Sequence, residues 1–202
     1  MLRRWRGVVV SLALLTTGCG YNRIQELDER AQAYQGQIEV QLQRRADLIP
    51  NLVNTVKGYA QHEEAVFTQV ANARSGLIGA VRSGDAEQMA VANASMTGAL
   101  GRLLAVVEAY PQLKADQNFI RLQDELTGTE NRVAVARNDY NAAVNEYNAY
   151  IRRFPQVITA KVTGAGPRKY FQAAPGSTAA PTVDFSKQPT QQPAPSPASK
   201  SP

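Results

Sequence analysis

Between Tyr21 and about Gly58 apolar residues recur at helical spacing: Ile24, Leu27, Ala31, Tyr34, Ile38, Leu42, Ile49, Leu52, Val53 and Val56. Steps of three and four leave the narrow stripe of a helix that meets a coiled-coil-like partner along one seam. At about 1.5 Å per residue the segment would be on the order of 55 Å long. The stretch from Arg44 to Val53 interrupts the pattern with a double arginine, Asp47 and Pro50. Residues that conflict with their local setting mark a functional site or a specified kink. A proline costs about 3 kcal/mol in a helix interior and is tolerated in a first turn, so Pro50 either kinks the helix or opens a new one capped by Asp47. The spacing favours a kinked, nearly continuous helix.

Gly58 to Gln61 reads as a break, and a second helix is expected from about His62 to Ile78 with Val66, Val70, Ala73 and Leu77 on one face. Ser83-Gly84-Asp85 is a turn in which Asp85 can cap the next helix. That third helix, Ala86 to Tyr110, carries Met89, Asn93, Met96, Leu100, Leu103, Val107 and Tyr110 along its seam and stops at Pro111. Gly98 and Gly101 weaken it by about 1 kcal/mol each unless they permit a close helix approach. In the fourth helix Phe119, Leu126, Val133, Tyr140, Tyr147 and Phe154 recur at every seventh position, and Pro155 should end it. Val157 to Val162 reads as a short extended piece before Gly164, Gly166 and Pro167 break the chain. From Ala173 onward Ala, Pro, Ser, Gln and Thr dominate without periodicity, which predicts a disordered tail over 173–202.

The expected fold is all-α: an antiparallel long-helix bundle of four helices, two long and two shorter. The inner pair covers only part of the outer pair. The leftover halves, about Tyr21 to Leu42 and Tyr140 to Phe154, would form a two-helix stalk, with the tail leaving from the stalk end. The domains are then 1–18 as a signal segment, 19–172 as the bundle and 173–202 as the tail.

The N-terminus changes this picture most. Three arginines within the first six residues precede an apolar run from Gly7 to Leu15, then Thr16-Thr17-Gly18-Cys19. A basic start, an apolar core and small residues before a cut describe a secretory signal, and the run is about half of the ~20 residues a spanning helix needs. The sole cysteine directly after the small residues resembles the bacterial lipobox, with Thr16 where leucine is commoner. Cys19 would then carry lipid, palmitate among its acyl chains, and become the new N-terminus. Gly20 after it, in place of Asp, implies outer-membrane delivery facing the periplasm if the source is Gram-negative. A Gram-positive source would leave it on the outer face of its one membrane.

Composition mostly excludes. The whole chain has 202 residues and a formal charge of +5, which falls to +2 once the three arginines of the signal are removed. No basic patch with interleaved aromatics appears, so nucleic acid is not an expected partner. One cysteine and one histidine, His62, rule out an intrachain disulfide, a thiolate metal cluster and most zinc sites.

The segments Tyr21-Asn22, Gln41 to Val53, Val56 to Ala60, His62-Glu63, Ala73-Arg74, Glu108 to Ala115, Asn118-Phe119 and Leu122-Gln123 are similar to the LemA family. So are Glu130 to Arg132, Arg137, Tyr140-Asn141, Tyr147-Asn148 and Phe154-Pro155. The resemblance covers about Tyr21 to Phe171 and implies a membrane-tethered antiparallel helical bundle with no established enzyme activity. The departures are at the ends: a lipobox where many members look tethered by a transmembrane helix, and the added Pro/Ala-rich tail.

Arg44, Arg45, Asn51, Glu63, Arg74, Glu108, Glu130, Arg137 and Asn141 are the candidates for a buried polar network inside the bundle. Buried charges are tolerated only when paired, so such a network would fix register more than add stability. A carboxylate di-metal site would need Glu-x-x-His pairs on two helices, and His62 is the only histidine. No cofactor is expected. His62-Glu63 lacks a nucleophile partner, Ser75-Gly76 and Ser83-Gly84 are turn chemistry, and the Tyr-Asn pairs read as seam aromatics with capping or cross-helix amides. The leading expectation is a lipid-anchored envelope protein, not an enzyme, acting as an interaction platform for another membrane or envelope protein. The alternatives are a small-ligand or peptide-binding module using the polar interior and, last, a hydrolase or metal-dependent enzyme.

Overall fold

The computed structural model describes residues 2–172, with side chains from Gly20 onward. The helices are α1 (Leu2–Lys57), α2 (Glu64–Ser83), α3 (Ala86–Val107), α4 (Pro111–Lys114), α5 (Gln117–Ile151) and α6 (Gln156–Thr163). The fold is all-helical among the described residues, as the periodicity predicted, with two short helices beyond the expected four. The expected tail at 173–202 lies outside the described residues.

Helices α1 and α5 form the principal contact and run antiparallel. Arg23 of α1 pairs with Glu146 near the end of α5, whereas Tyr59, just past α1, bonds Asp116 at the start of α5. Along this seam Ile24, Leu27, Ile38, Leu42, Ile49, Leu52 and Val56 are almost fully buried, as are Phe119, Val133, Tyr140, Val144, Tyr147 and Ile151 of α5. Each such side chain removed from water contributes about 1.5–3 kcal/mol, so the seam dominates the stability of the pair. Helix α1 runs unbroken through Pro50, because burial of Ile49, Leu52 and Val56 on one face outweighs the lost backbone bond.

Helices α2 and α3 form a hairpin packed on the distal part of α1. Gly84 takes φ +65, a left-handed conformation that favours glycine, and ends α2. The Asp85 carboxylate accepts the Glu87 and Gln88 amides at 2.9 and 3.1 Å, the cap that its position predicted. The hairpin tip reaches Gln35, whose amide donates to the Gly84 carbonyl at 2.8 Å. Helix α3 is long and apolar enough to cross a membrane by length and composition, yet Met89, Met96, Leu100, Leu103 and Val107 face the bundle core. A Cβ added at Gly98 or Gly101 would meet nothing within 4 Å, so neither glycine serves a close helix approach.

Three expectations are corrected at the C-terminal side. Val157 to Val162 is helical, within α6: no strand among the described residues is at hand to pair with it, and Ala160 packs into a small cluster with Ile24, Leu27, Tyr147 and Ile151. Phe154 leaves the seam and is 81% exposed, because α5 ends at Ile151 before the heptad reaches it. The chain also does not leave from the stalk end. Residues 165–172 double back in extended form along α5, and Phe171 enters the main core cluster. Their last residues therefore lie about 15 Å up α5 from its end, at the level of Asn141.

Candidate functional site: a clasped stalk and a cleft over Arg45

Two polar constellations stand out, and α5 contributes to each. The first holds residues 165–172, here called the strap. Tyr140, Asn141, Tyr147 and Asn148 lie on one face of α5 because the two Tyr-Asn pairs are seven residues apart, two helical turns. The Asn148 amide brackets Arg168, donating to its carbonyl and accepting its N–H, both at 2.9 Å. Asn141 repeats the bracket on Phe171 at 3.0 and 2.9 Å. Beside them the Tyr147 hydroxyl donates to the Gly166 carbonyl at 3.1 Å and the Tyr140 hydroxyl to the Lys169 carbonyl at 2.8 Å. The helix side chains thus supply an extended chain with the backbone partners a neighbouring strand would give.

Side chains complete the clasp. Arg168 forms a forked pair with Asp28 of α1 at 2.6 and 2.9 Å, and Asp28 holds the guanidinium pKa above its ordinary value. Lys169 reaches Asp85 and Glu87 at the hairpin tip, 3.0 and 3.2 Å away. Its hydrogen bond, followed by those of the cap amides, holds the Asp85 carboxyl below its usual range. Burial pushes the Tyr140 and Tyr147 hydroxyls up, so both donate as neutral phenols at neutral pH. The strap ties α1, α5 and the α2–α3 tip together.

The second constellation is centred on Arg45, which is 4% exposed. Its guanidinium pairs with Glu130 of α5, also meets Asn93, and donates to Thr97 Oγ1 at 3.1 Å on α3. Burial pulls its pKa below the ordinary arginine value, opposed by the Glu130 charge. Above it, α3 and α5 stand apart and leave an open cleft of about 330 Å³. Leu52, Leu100, Leu104 and Leu126 make its walls mainly apolar, with Arg45 and Glu130 at the floor. Glu130 faces this cleft with a side chain 43% exposed, so the pair is buried on one side only.

Arg45 and Glu130 both fall inside the stretch, residues 34–185, that a model of the LemA family matches. The chain belongs to the LemA family. Among curated relatives, two magnetosome proteins MamQ of Paramagnetospirillum magneticum are 31% identical over 178 residues. A MamQ of Magnetospirillum gryphiswaldense is 28% identical over the same length. The match covers 77% of this chain and 65% of each relative, so the chain spans just under two thirds of their length.

Within this LemA bundle the nine expected network residues divide. Arg45 and Glu130 meet in an ion pair. Arg74, half-buried, donates through Nε to the Ala46 carbonyl at 2.7 Å and pins α2 to α1. Asn141 belongs to the strap. The others are not in a shared network. Arg44, Asn51 and Arg137 are exposed, and Asn51 offers only its backbone carbonyl to Thr55. Glu108 is exposed and pairs with Lys114, while Glu63 precedes α2 without a side-chain cap bond. The physical reason is angular: a buried seam admits one flank residue per turn, and Arg45 takes the place beside Leu42 and Ile49 while Arg44 turns to solvent. Asp28, Thr97 and Arg168 were missed, while the sequence pattern makes Asn93 a seam position and Asn148 a capping or cross-helix amide, outside the network. The Tyr-Asn repeat was the visible signal for the clasp. The Cys19 side chain lies outside the described side chains, and among the described residues no group of three His, Cys, Asp or Glu side chains could hold a metal.

Proposed function

We propose that this LemA protein is a lipid-anchored, non-enzymatic interaction platform of the bacterial cell envelope, tethered through Cys19 and presenting its bundle to another membrane or envelope protein. The observation that carries the reading is the continuity of α1. One helix runs from the segment that holds the lipobox to the far end of the bundle at Lys57. Whatever fixes Cys19 in a bilayer therefore also holds the near end of the bundle beside that bilayer, which suits a display element. Several acyl chains, each CH₂ contributing about 0.8 kcal/mol, give the stable attachment that one chain does not. With Gly20 following Cys19, an outer-membrane address facing the periplasm is the reading in a Gram-negative source. The names of the MamQ relatives place those proteins at a magnetosome, which is compatible with a membrane-linked role here.

A second reading, a small-ligand or peptide-binding module, draws on the cleft over Arg45. Its apolar walls above one charged pair are the composition of a binding site.

The test joins fractionation to crosslinking. Cys19→Ser should abolish incorporation of labelled palmitate and leave an unprocessed precursor; unchanged acylation and processing would rule out the lipobox. In the acylated wild-type chain, a photo-crosslinker at Leu104 should capture one recurrent envelope protein that Cys19→Ser loses. Capture of a small molecule in its place would favour the second reading.

A further inference from the structure

Helix α6 and the turn before it present an apolar stripe to solvent while lying against the first described side chains of α1. Phe154, Ile158 and Val162 stand four residues apart and are 81%, 54% and 82% exposed. Ala160 on the opposite face is buried against α1 and α5. A segment of this size that buries one small residue and exposes three large ones has its apolar side turned outward, the reverse of a surface helix in water.

Two independent observations say what covers that stripe. The first is position. A Cβ at Gly20 would sit 3.7 Å from Thr159 Oγ1 and 3.8 Å from Gln156 Cγ, so α6 touches the residue next to Cys19. The second is charge. From Tyr147 to Gln172 the chain has five basic residues and no acidic one. Arg168 and Lys169 are consumed by the clasp. Arg152, Arg153 and Lys161 are exposed and have no ion-pair partner among the described residues. Exposed apolar side chains flanked by such cations, at the level of the anchor, are the composition of an interfacial membrane contact.

We infer that α6 and the preceding turn form a second membrane-contact site, in which Phe154, Ile158 and Val162 enter the interfacial region of an anionic phospholipid bilayer and Arg152, Arg153 and Lys161 meet lipid phosphates. This rests on the membrane tethering proposed above and adds a fixed orientation to it. An acylated N-terminus alone leaves the bundle to swivel, whereas a second contact beside it holds α1 at one tilt. Each basic residue held near an anionic surface adds roughly fivefold to partitioning, so the three together are a substantial part of the contact.

The test uses the full acylated chain in vesicles of phosphatidylethanolamine and phosphatidylglycerol. Trp5→Phe removes the native tryptophan from any precursor that keeps its signal. On that background Phe154→Trp places a reporter in the stripe, where 81% exposure leaves room for the larger ring. Val40→Trp, at a site 64% exposed and about 30 Å along α1 from Gly20, is the distant control. The expected result is blue-shifted emission from the Phe154→Trp chain and quenching by brominated lipid, with the Val40→Trp chain unquenched. Exchanging Arg152, Arg153 and Lys161 for glutamate should reduce the quenching several-fold. Co-flotation with the vesicles and an unquenched reporter in the stripe overturns the α6 contact and leaves the anchor standing. A blue shift without quenching that grows with protein concentration assigns the face to a second copy and also overturns it. A chain that does not float with vesicles defeats both readings.

Discussion

Asn148→Ala isolates the clasp. The side chain is 5% exposed and makes both bonds to the Arg168 backbone, at 2.9 Å each. Truncation loses two hydrogen bonds worth about 0.5–1.5 kcal/mol each and leaves a half-buried N–H and carbonyl seeking partners. Water can reach part of the strap, so the expected cost is about 2 kcal/mol, below the full penalty of burying both groups unmet. For a chain of this size that lowers the melting temperature by about 4–8 °C. The more telling assay is amide hydrogen exchange, which separates local release from global unfolding. Residues 168–171 should lose protection while the amides around Leu42 and Leu103 keep theirs. Asn145→Ala is the matched control: its carbonyl is 3.4 Å from the Tyr170 hydroxyl on an exposed face, too long to carry much energy. The reasoning fails if Asn148→Ala and Asn145→Ala behave alike, or if strap and core amides lose protection together.

Arg45→Ala leaves Glu130, Asn93 and Thr97 without their shared partner and should cost about 3 kcal/mol in urea unfolding, while Arg45→Met with Glu130→Leu should recover most of it. A double variant no better than the single one would mean that the pair adds stability of its own. Gly98→Ala meets no atom within 4 Å and should raise stability by about 0.5–1 kcal/mol through helix propensity. A lowered unfolding midpoint would contradict those open surroundings. The Asp85 carboxyl is depressed in the folded state, so its contribution is present above the unfolded value of about 3.9 and fades as pH falls through the lower folded value. Asp85→Asn should therefore lose stability at neutral pH and show a flatter acid limb than wild type; parallel acid limbs would remove Asp85 from the linkage.

The seams of α1, α3 and α5 were legible because each rests on one repeated local rule. Ile24 to Val56 and Phe119 to Tyr147 lie where a three-four spacing puts them, and burial agrees nearly residue by residue. Asp85 as a cap, the breaks at Gly58 and Pro111, and the family resemblance were legible for the same reason, since capping and turn chemistry act within a few residues. Arg45 and Glu130 could be named as candidates from sequence, but not matched to each other. The steps from Leu42 to Arg45 to Ile49 already set Arg45 on the seam and Arg44 off it, but that its partner is Glu130, 85 positions away, is something no local pattern encodes.

Beyond Ile151 long-range packing took over. Val157 to Val162 has the composition of a strand and became a helix, because the packing on offer was helical and backbone propensity differs by fractions of a kcal/mol per residue. The strap has no periodicity at all. Its place is set by side chains of α5 that sequence could identify as Tyr-Asn pairs but could not assign to a segment 20 to 30 residues further on. The helices and their buried faces follow from short-range geometry, and reading residues alone was enough to find them. Which faces meet, where the chain doubles back and which charges stay uncovered depend on contacts between residues far apart in the chain, and those emerge only when the bundle closes.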